Sequence, residues 1–134
     1  MKRGAKMSYT LNRTIAGESI EAVDARTRKA LAEHGFGVLT EIDVSATMKK
    51  KLDVDMPAYR ILGACNPKMA YQAIGMEPRV GAMLPCNVIL RAVEGGVEVS
   101  AIDPAASMQA IDNVALHGVA RQVRDLLARA VAAI

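Results

Sequence analysis

This sequence predicts an α+β fold, a single-domain two-layer sandwich, and three observations carry that prediction. Short apolar runs of strand character alternate with segments of helical spacing along the chain. Two of the helical segments, one near the start and one at the end, are long and amphipathic. Gly95-Gly96 separates two strand-like runs, and glycines supply the positive φ angles that a tight antiparallel hairpin requires. The order reads β-α-β-α-β-α-β-β-α, a five-stranded mixed or mainly antiparallel sheet packed by two long helices. With 134 residues, the chain has the length of one domain and buries roughly two-thirds of its unfolded surface.

The elements follow in order. Tyr9 to Ile15 alternates Tyr, Leu, Arg and Ile against Thr, Asn and Thr, a first strand whose apolar face is broken by Arg13. Gly17-Glu18-Ser19 opens a helix that runs to His34, with Ile20, Val23, Thr27, Ala30 and Leu31 on one side and Gly35 in the C′ position. Phe36 to Asp43 is the second strand, and Ser45 is the expected N-cap of a short helix to Leu52 that carries Lys49-Lys50-Lys51. After Pro57 comes a third strand, Ala58 to Ala64, and then a helix capped by Asn66 with Pro67 in the first turn, ending at Gly75 or Met76. Glu77 to Leu84 reads as loop, and the hairpin strands are Asn87 to Glu94 and Val97 to Ile102, stopped by Asp103-Pro104. Asn113 to Ile134 is the final helix, with Asp125 spaced to pair with Arg121 and Arg129. Apolar residues occur on both faces of the third and fourth strands, so the short helices or a second subunit should cover the outer face.

Composition excludes several functions. The net charge of +3 comes wholly from Lys2, Arg3 and Lys6; taking these three from the seventeen basic residues leaves fourteen against fourteen acidic ones. A neutral folded part gives no electrostatic footprint for phosphate, so nucleic acid is not an expected partner. Residues 1–7 are expected to be a disordered leader or expression tag, and residues 8–134 the single domain. No apolar run approaches a membrane span, and no apolar stretch of secretory type follows the basic leader. Two cysteines in this length do not make a disulfide scaffold, which points to a reducing compartment, the cytoplasm.

The candidate site lies between Tyr59 and Leu90, which holds both cysteines, three of the five prolines, and Met69, Met76 and Met83. Cys65-Asn66-Pro67 ends one strand and Pro85-Cys86 begins the next. If those strands are antiparallel, the thiols approach each other, and Cys65, standing before a helix N-terminus, should be the more reactive of the two.

Gly35-Phe36-Gly37-Val38, Glu41-Ile42-Asp43, Tyr59 to Pro67 and Leu84-Pro85-Cys86-Asn87-Val88 together resemble the bacterial and archaeal family called domain of unknown function 302, over Tyr9 to Ile134. The resemblance implies a small α/β fold that forms homodimers. It implies no established reaction, and it brings no catalytic residues.

The residues then support a homodimeric domain that binds a small molecule or protein partner at Cys65, Asn66, Pro67, Met83, Pro85 and Cys86, with no cofactor specified. The alternative is a thiol-dependent redox or sulfur-handling enzyme using Cys65 or Cys86, and a third reading is a purely structural protein. Neither cysteine belongs to a Cys-x-x-Cys pair. No metal is expected: His34, His117, Cys65, Cys86 and Met83 have no zinc-finger spacing, and the two histidines read as helix-surface residues. Glu41, Asp43, Asp53 and Asp55 read as solvated charges, and Lys49 to Lys51 as a solvated face. Met69, Met76 and Met83 read as core filling or as the lining of an adaptable apolar pocket.

Overall fold

The computed structural model describes residues 8–134, so the leader expected over residues 1–7 lies outside the described residues. Its elements are β1 (Thr10–Ala16), α1 (Ile20–Glu33), β2 (Gly37–Asp43), α2 (Val44–Leu52), β3 (Tyr59–Cys65), α3 (Pro67–Met76), a 3-10 helix (Pro78–Met83), β4 (Cys86–Val93), β5 (Gly96–Ile102), α4 (Pro104–Ser107) and α5 (Val114–Ala132). The five strands form one sheet in the order β1-β5-β4-β3-β2, and every neighbouring pair is antiparallel.

Side-chain caps set most of the helix starts. Ser19 accepts from the Ala22 N–H, Asn66 from the Met69 N–H and Asn113 from the Leu116 N–H, each filling an amide that the first turn leaves free. Gly35 ends α1 with φ of +86°, a left-handed conformation that favours glycine. For α2 the cap is Asp43, not Ser45. The Asp43 carboxylate accepts from the Ala46 N–H and the Ser45 hydroxyl, contacts that lower its pKa, and Ser45 sits inside the first turn. The segment read as loop over Glu77 to Leu84 contains the 3-10 helix, started by the Glu77 side chain accepting from the Arg79 N–H. Asp103 stops β5 and also caps α4, a short helix that has no counterpart in the sequence reading.

Register divides the sheet into two unlike faces. Leu62 and Ala64 of β3 stand across from Val88 and Cys86 of β4, and Val88 and Leu90 across from Ala101 and Val99 of β5. These residues are buried with Val23, Ala30 and Leu31 of α1 and Leu127, Ala130 and Val131 of α5, so both long helices cover the same face. A smaller cluster of Ala73, Val80, Met108, Leu116 and Ala120 joins α3, the 3-10 helix, α4 and α5. The opposite face carries Ile61 paired with Ile42 and with Ile89, and all three keep some exposure.

Buried charge fastens α1 to the sheet. Asp24, 7% exposed, accepts from Arg28 Nε at 2.5 Å and from Arg60 at 3.0 Å; Arg60 also reaches Glu21 at 3.2 Å and Arg28 reaches Glu41. Asp24 lies on the buried side of α1, and it is tolerated there because two guanidinium groups take its oxygens. Arg13 breaks the apolar face of β1 for a similar reason, donating to the Val131 and Ala132 carbonyls at the end of α5. The expected pairing of Asp125 with Arg121 and Arg129 does not form. Arg124 takes Asp125 at 3.5 Å and the less exposed Asp103 at 3.1 Å, because α4 brings Asp103 against that side of α5.

Candidate functional site

The site begins with how β3 ends. Asn66 leaves the strand in an extended conformation, caps α3 through its own side chain, and is followed by Pro67 in the first turn, where the missing N–H costs nothing. Gly35 leaves room for it: a Cβ there would stand 3.0 Å from Asn66 Nδ2. On the neighbouring strand, the cis Leu84-Pro85 bond leads into Cys86. Pro85 packs over Gly63, which has no space for a Cβ because the Pro85 ring carbon would lie 2.7 Å and Thr40 Oγ1 2.1 Å from it.

This construction brings the two cysteines onto adjacent strands as diagonal neighbours, with their side chains on opposite faces of the pleat. Cys86 pairs with Ala64, and Cys65 is the next residue along β3. Both are free thiols, Cys86 buried and Cys65 half-buried. Burial, and then the neighbouring Cys65, push the Cys86 thiol up to about 11.

Residues Cys65 and Cys86 both border a cavity of about 30 Å³ that lies where the main core meets the smaller cluster. Phe36, Ala64 and Cys86 form its sheet side, Met69 and Ala73 come from α3, and Met108 follows α4. Ala120 and its neighbours on α5 close the remaining wall. Asn66 is the one polar side chain besides the thiols, and its Oδ1 is occupied by the Met69 N–H at 3.2 Å.

Of the residues singled out from sequence, Cys65, Asn66, Pro85 and Cys86 line this cavity and Pro67 and Met83 do not. Met83 borders a separate open groove with Asn87, Ile102 and Ser107. Arg60, the nearest cation before Cys65 in sequence, is paired with Asp24 and Glu21. His34 and His117 each donate a ring N–H to a backbone carbonyl, of Ala30 and Ile111, and neither borders the cavity. Among the described residues, no three His, Cys, Asp or Glu side chains converge as a metal-binding group.

Sequence reasoning missed Phe36, Met108 and the α5 wall. Phe36 was read as a strand residue and α5 only as a sheet cover. A signal for α5 was available: Leu116, Val119 and Ala120 extend its apolar stripe beyond the part that faces the sheet core, so another element had to meet it.

The profile of the family described as "Domain of unknown function DUF302" matches residues 11–134. The chain belongs to this family. A solved structure of an uncharacterised member from Bacillus stearothermophilus superposes with a TM-score of 0.86 at 22% identity, covering 92% of this chain and 96% of that one. At this identity the likeness shows a shared fold. No curated protein matches the chain. Among the described residues, no helix is long and apolar enough to cross a membrane.

Proposed function

We propose that this DUF302 domain is a cytoplasmic homodimeric binding protein whose ligand site is the cavity beside Cys65 and Cys86. One observation carries the reading: the Cys65-Asn66 and Pro85-Cys86 segments, separate in sequence, share the wall of one apolar enclosure. Such enclosures between layers are where small domains bind small molecules. Any ligand much larger than a water must displace Met69 or Met108, and a flexible thioether side chain moves at little cost. The exposed parts of Ile42, Ile61 and Ile89 support association through the outer sheet face. The neutral charge balance outside the leader argues against nucleic acid as a partner.

Amide chemical-shift mapping with small apolar fragments tests the ligand site. Shifts should cluster on Cys65, Met69, Cys86 and Ala120, and Ala70→Phe, which fills the wall from α3, should abolish them. Shifts that map to the outer sheet face, or that survive Ala70→Phe, overturn the reading. Light scattering on the same samples should give twice the 14.3 kDa chain mass.

A second reading, thiol-dependent redox or sulfur chemistry, is favoured by the partial exposure of Cys65 beside a second thiol. Alkylation in the folded state should then modify Cys65 well before Cys86. If both react only after unfolding, the thiols are structural.

A further inference from the structure

We propose that residues 37–57 form an arm that lifts from the sheet as one unit while the rest of the domain stays folded, and that its lifting uncovers the edge of β3 as far as Cys65. The inference does not depend on the cavity as a ligand site.

Not one residue from 37 to 57 is buried. The arm comprises β2, α2 and the turn that follows, and Leu39, Ile42, Leu52 and Val54 stand exposed along it. Its limits are sharp. Phe36 before it is 2% exposed in the main core, and the Ala58 carbonyl after it accepts from the Ala92 N–H of β4 at 2.9 Å. Ordering a segment of this length costs conformational entropy, and here little apolar burial offsets that cost. Elements with few buried contacts open at free energies well below that of global unfolding.

The ties between arm and body are correspondingly slight. β2 lies at the edge of the sheet and pairs with β3 alone. The register shifts between Val38 and Thr40, so Leu39 drops out of the ladder. Val38 packs against the main core but is only partly buried, and α2 rests on β3 without burying a residue. Glu41 pairs with Arg28 of α1, yet both side chains are more than a third exposed, and an ion pair open to water holds weakly. The Tyr59 N–H reaches Ser45 Oγ only at 3.4 Å.

The other polar contacts of α2 lie within the arm itself. The Asp43 carboxylate accepts from the Ala46 N–H and the Ser45 hydroxyl, and the Asp43 carbonyl accepts from the Thr47 hydroxyl. Lys49 pairs with Asp53 at 3.0 Å and with Asp55 at 3.4 Å. These contacts travel with the arm when it lifts. β3 stays behind, because β4 pairs with it from Tyr59 to Ala64 and Leu62, Gly63 and Ala64 are buried. Gly37 is the β2 partner of Cys65, so lifting leaves Cys65 on an open edge. The arm thereby sets how readily a solute reaches that thiol, whereas Cys86, on the far side of β3 from the arm, stays buried.

Native-state hydrogen exchange on the full chain tests this. Hydrogen-bonded amides of β2 and α2 should exchange about 100-fold faster than those of β4 and β5, with one shared and shallow urea dependence. Val131→Ala, in the main core, should speed exchange in β4 and β5 about tenfold and leave the arm unchanged, because Val131 keeps its contacts when the arm lifts. Glu41→Gln, which weakens the tie to Arg28, should raise arm exchange and the rate of Cys65 modification by iodoacetamide by the same factor, about two- to fivefold. Arm protection equal to that of β4 and β5 overturns the proposal. So does an arm that follows β5 in Val131→Ala, or a Cys65 modification rate unmoved by Glu41→Gln.

Discussion

The main core and the cavity seam lie on the same side of one sheet, yet they are packed by different means. In the main core Leu31, Leu62, Leu90 and Leu127, with Val23, Val88 and Val99, are at most 1% exposed, and branched side chains from both layers fill the space between them. At the seam Phe36, Leu84, Leu116 and Val123 share the wall with Ala64, Ala73 and Ala120, two cysteines and two methionines. Alanine and cysteine stop short of the opposite wall, and an unbranched thioether fills the gap loosely, so a void remains where two clusters meet. The comparison teaches that this domain separates rigidity from adaptability within one layer: the sheet and the long helices fix the frame, and the seam keeps room and sulfur.

The sharpest way to break the contrast is truncation on each side of it. Leu62→Ala, in the main core, should cost about 3–4 kcal/mol, since it adds a cavity to the lost transfer energy. Urea denaturation should show this as a lowered midpoint with unchanged slope. A loss below about 1 kcal/mol would mean that the main core yields as readily as the seam.

The buried thiol gives a pH-dependent version of the same contrast. The Cys86 pKa is raised by burial first and then by Cys65, from a starting value of 9.0 to about 11, so the folded state holds its proton where the unfolded chain has released it. Its contribution is therefore complete below pH 9.0 and is lost as pH rises through about 11, amounting to about 2–3 kcal/mol across that window. Because lysines and tyrosines titrate in the same range, the measurement is the difference in stability between wild type and Cys86→Ala against pH. The difference should shrink from pH 8.5 to 10.5 or so. A flat difference would place Cys86 in contact with water.

The smallest effect should come from the seam itself. Met69→Leu alone should change stability by less than about 1 kcal/mol, because an adaptable wall accepts a volume-conserving exchange. Thermal unfolding that shows a loss as large as that of Leu62→Ala would show the seam to be as closely packed as the core.

Much of the frame was legible in the sequence because it depends on local chemistry. Ser19, Asn66 and Asn113 cap helices through their own side chains, Gly95 permits a left-handed turn at φ of +82°, and the alternation along β4 and β5 follows from the pleat. Where competing caps stood two residues apart, as Asp43 and Ser45 do, sequence chose the wrong one; the carboxylate accepts from both the amide and the hydroxyl. The family resemblance was likewise carried by motifs within the chain, and the match over residues 11–134 bears it out.

Tertiary structure decided what meets across long separations in sequence. That both long helices share one face, that Arg60 serves Asp24 and leaves Cys65 without it, and that Met108 and Ala120 stand opposite Cys65 and Cys86 all depend on how layers dock. Periodicity states which side of an element is apolar but not which element that side will meet, because burial is non-directional. The sequence could therefore determine the sheet, the helices and the position of each thiol at a strand end. Only the packing of α3, α4 and α5 against those strand ends gathered the residues around them into a single cavity.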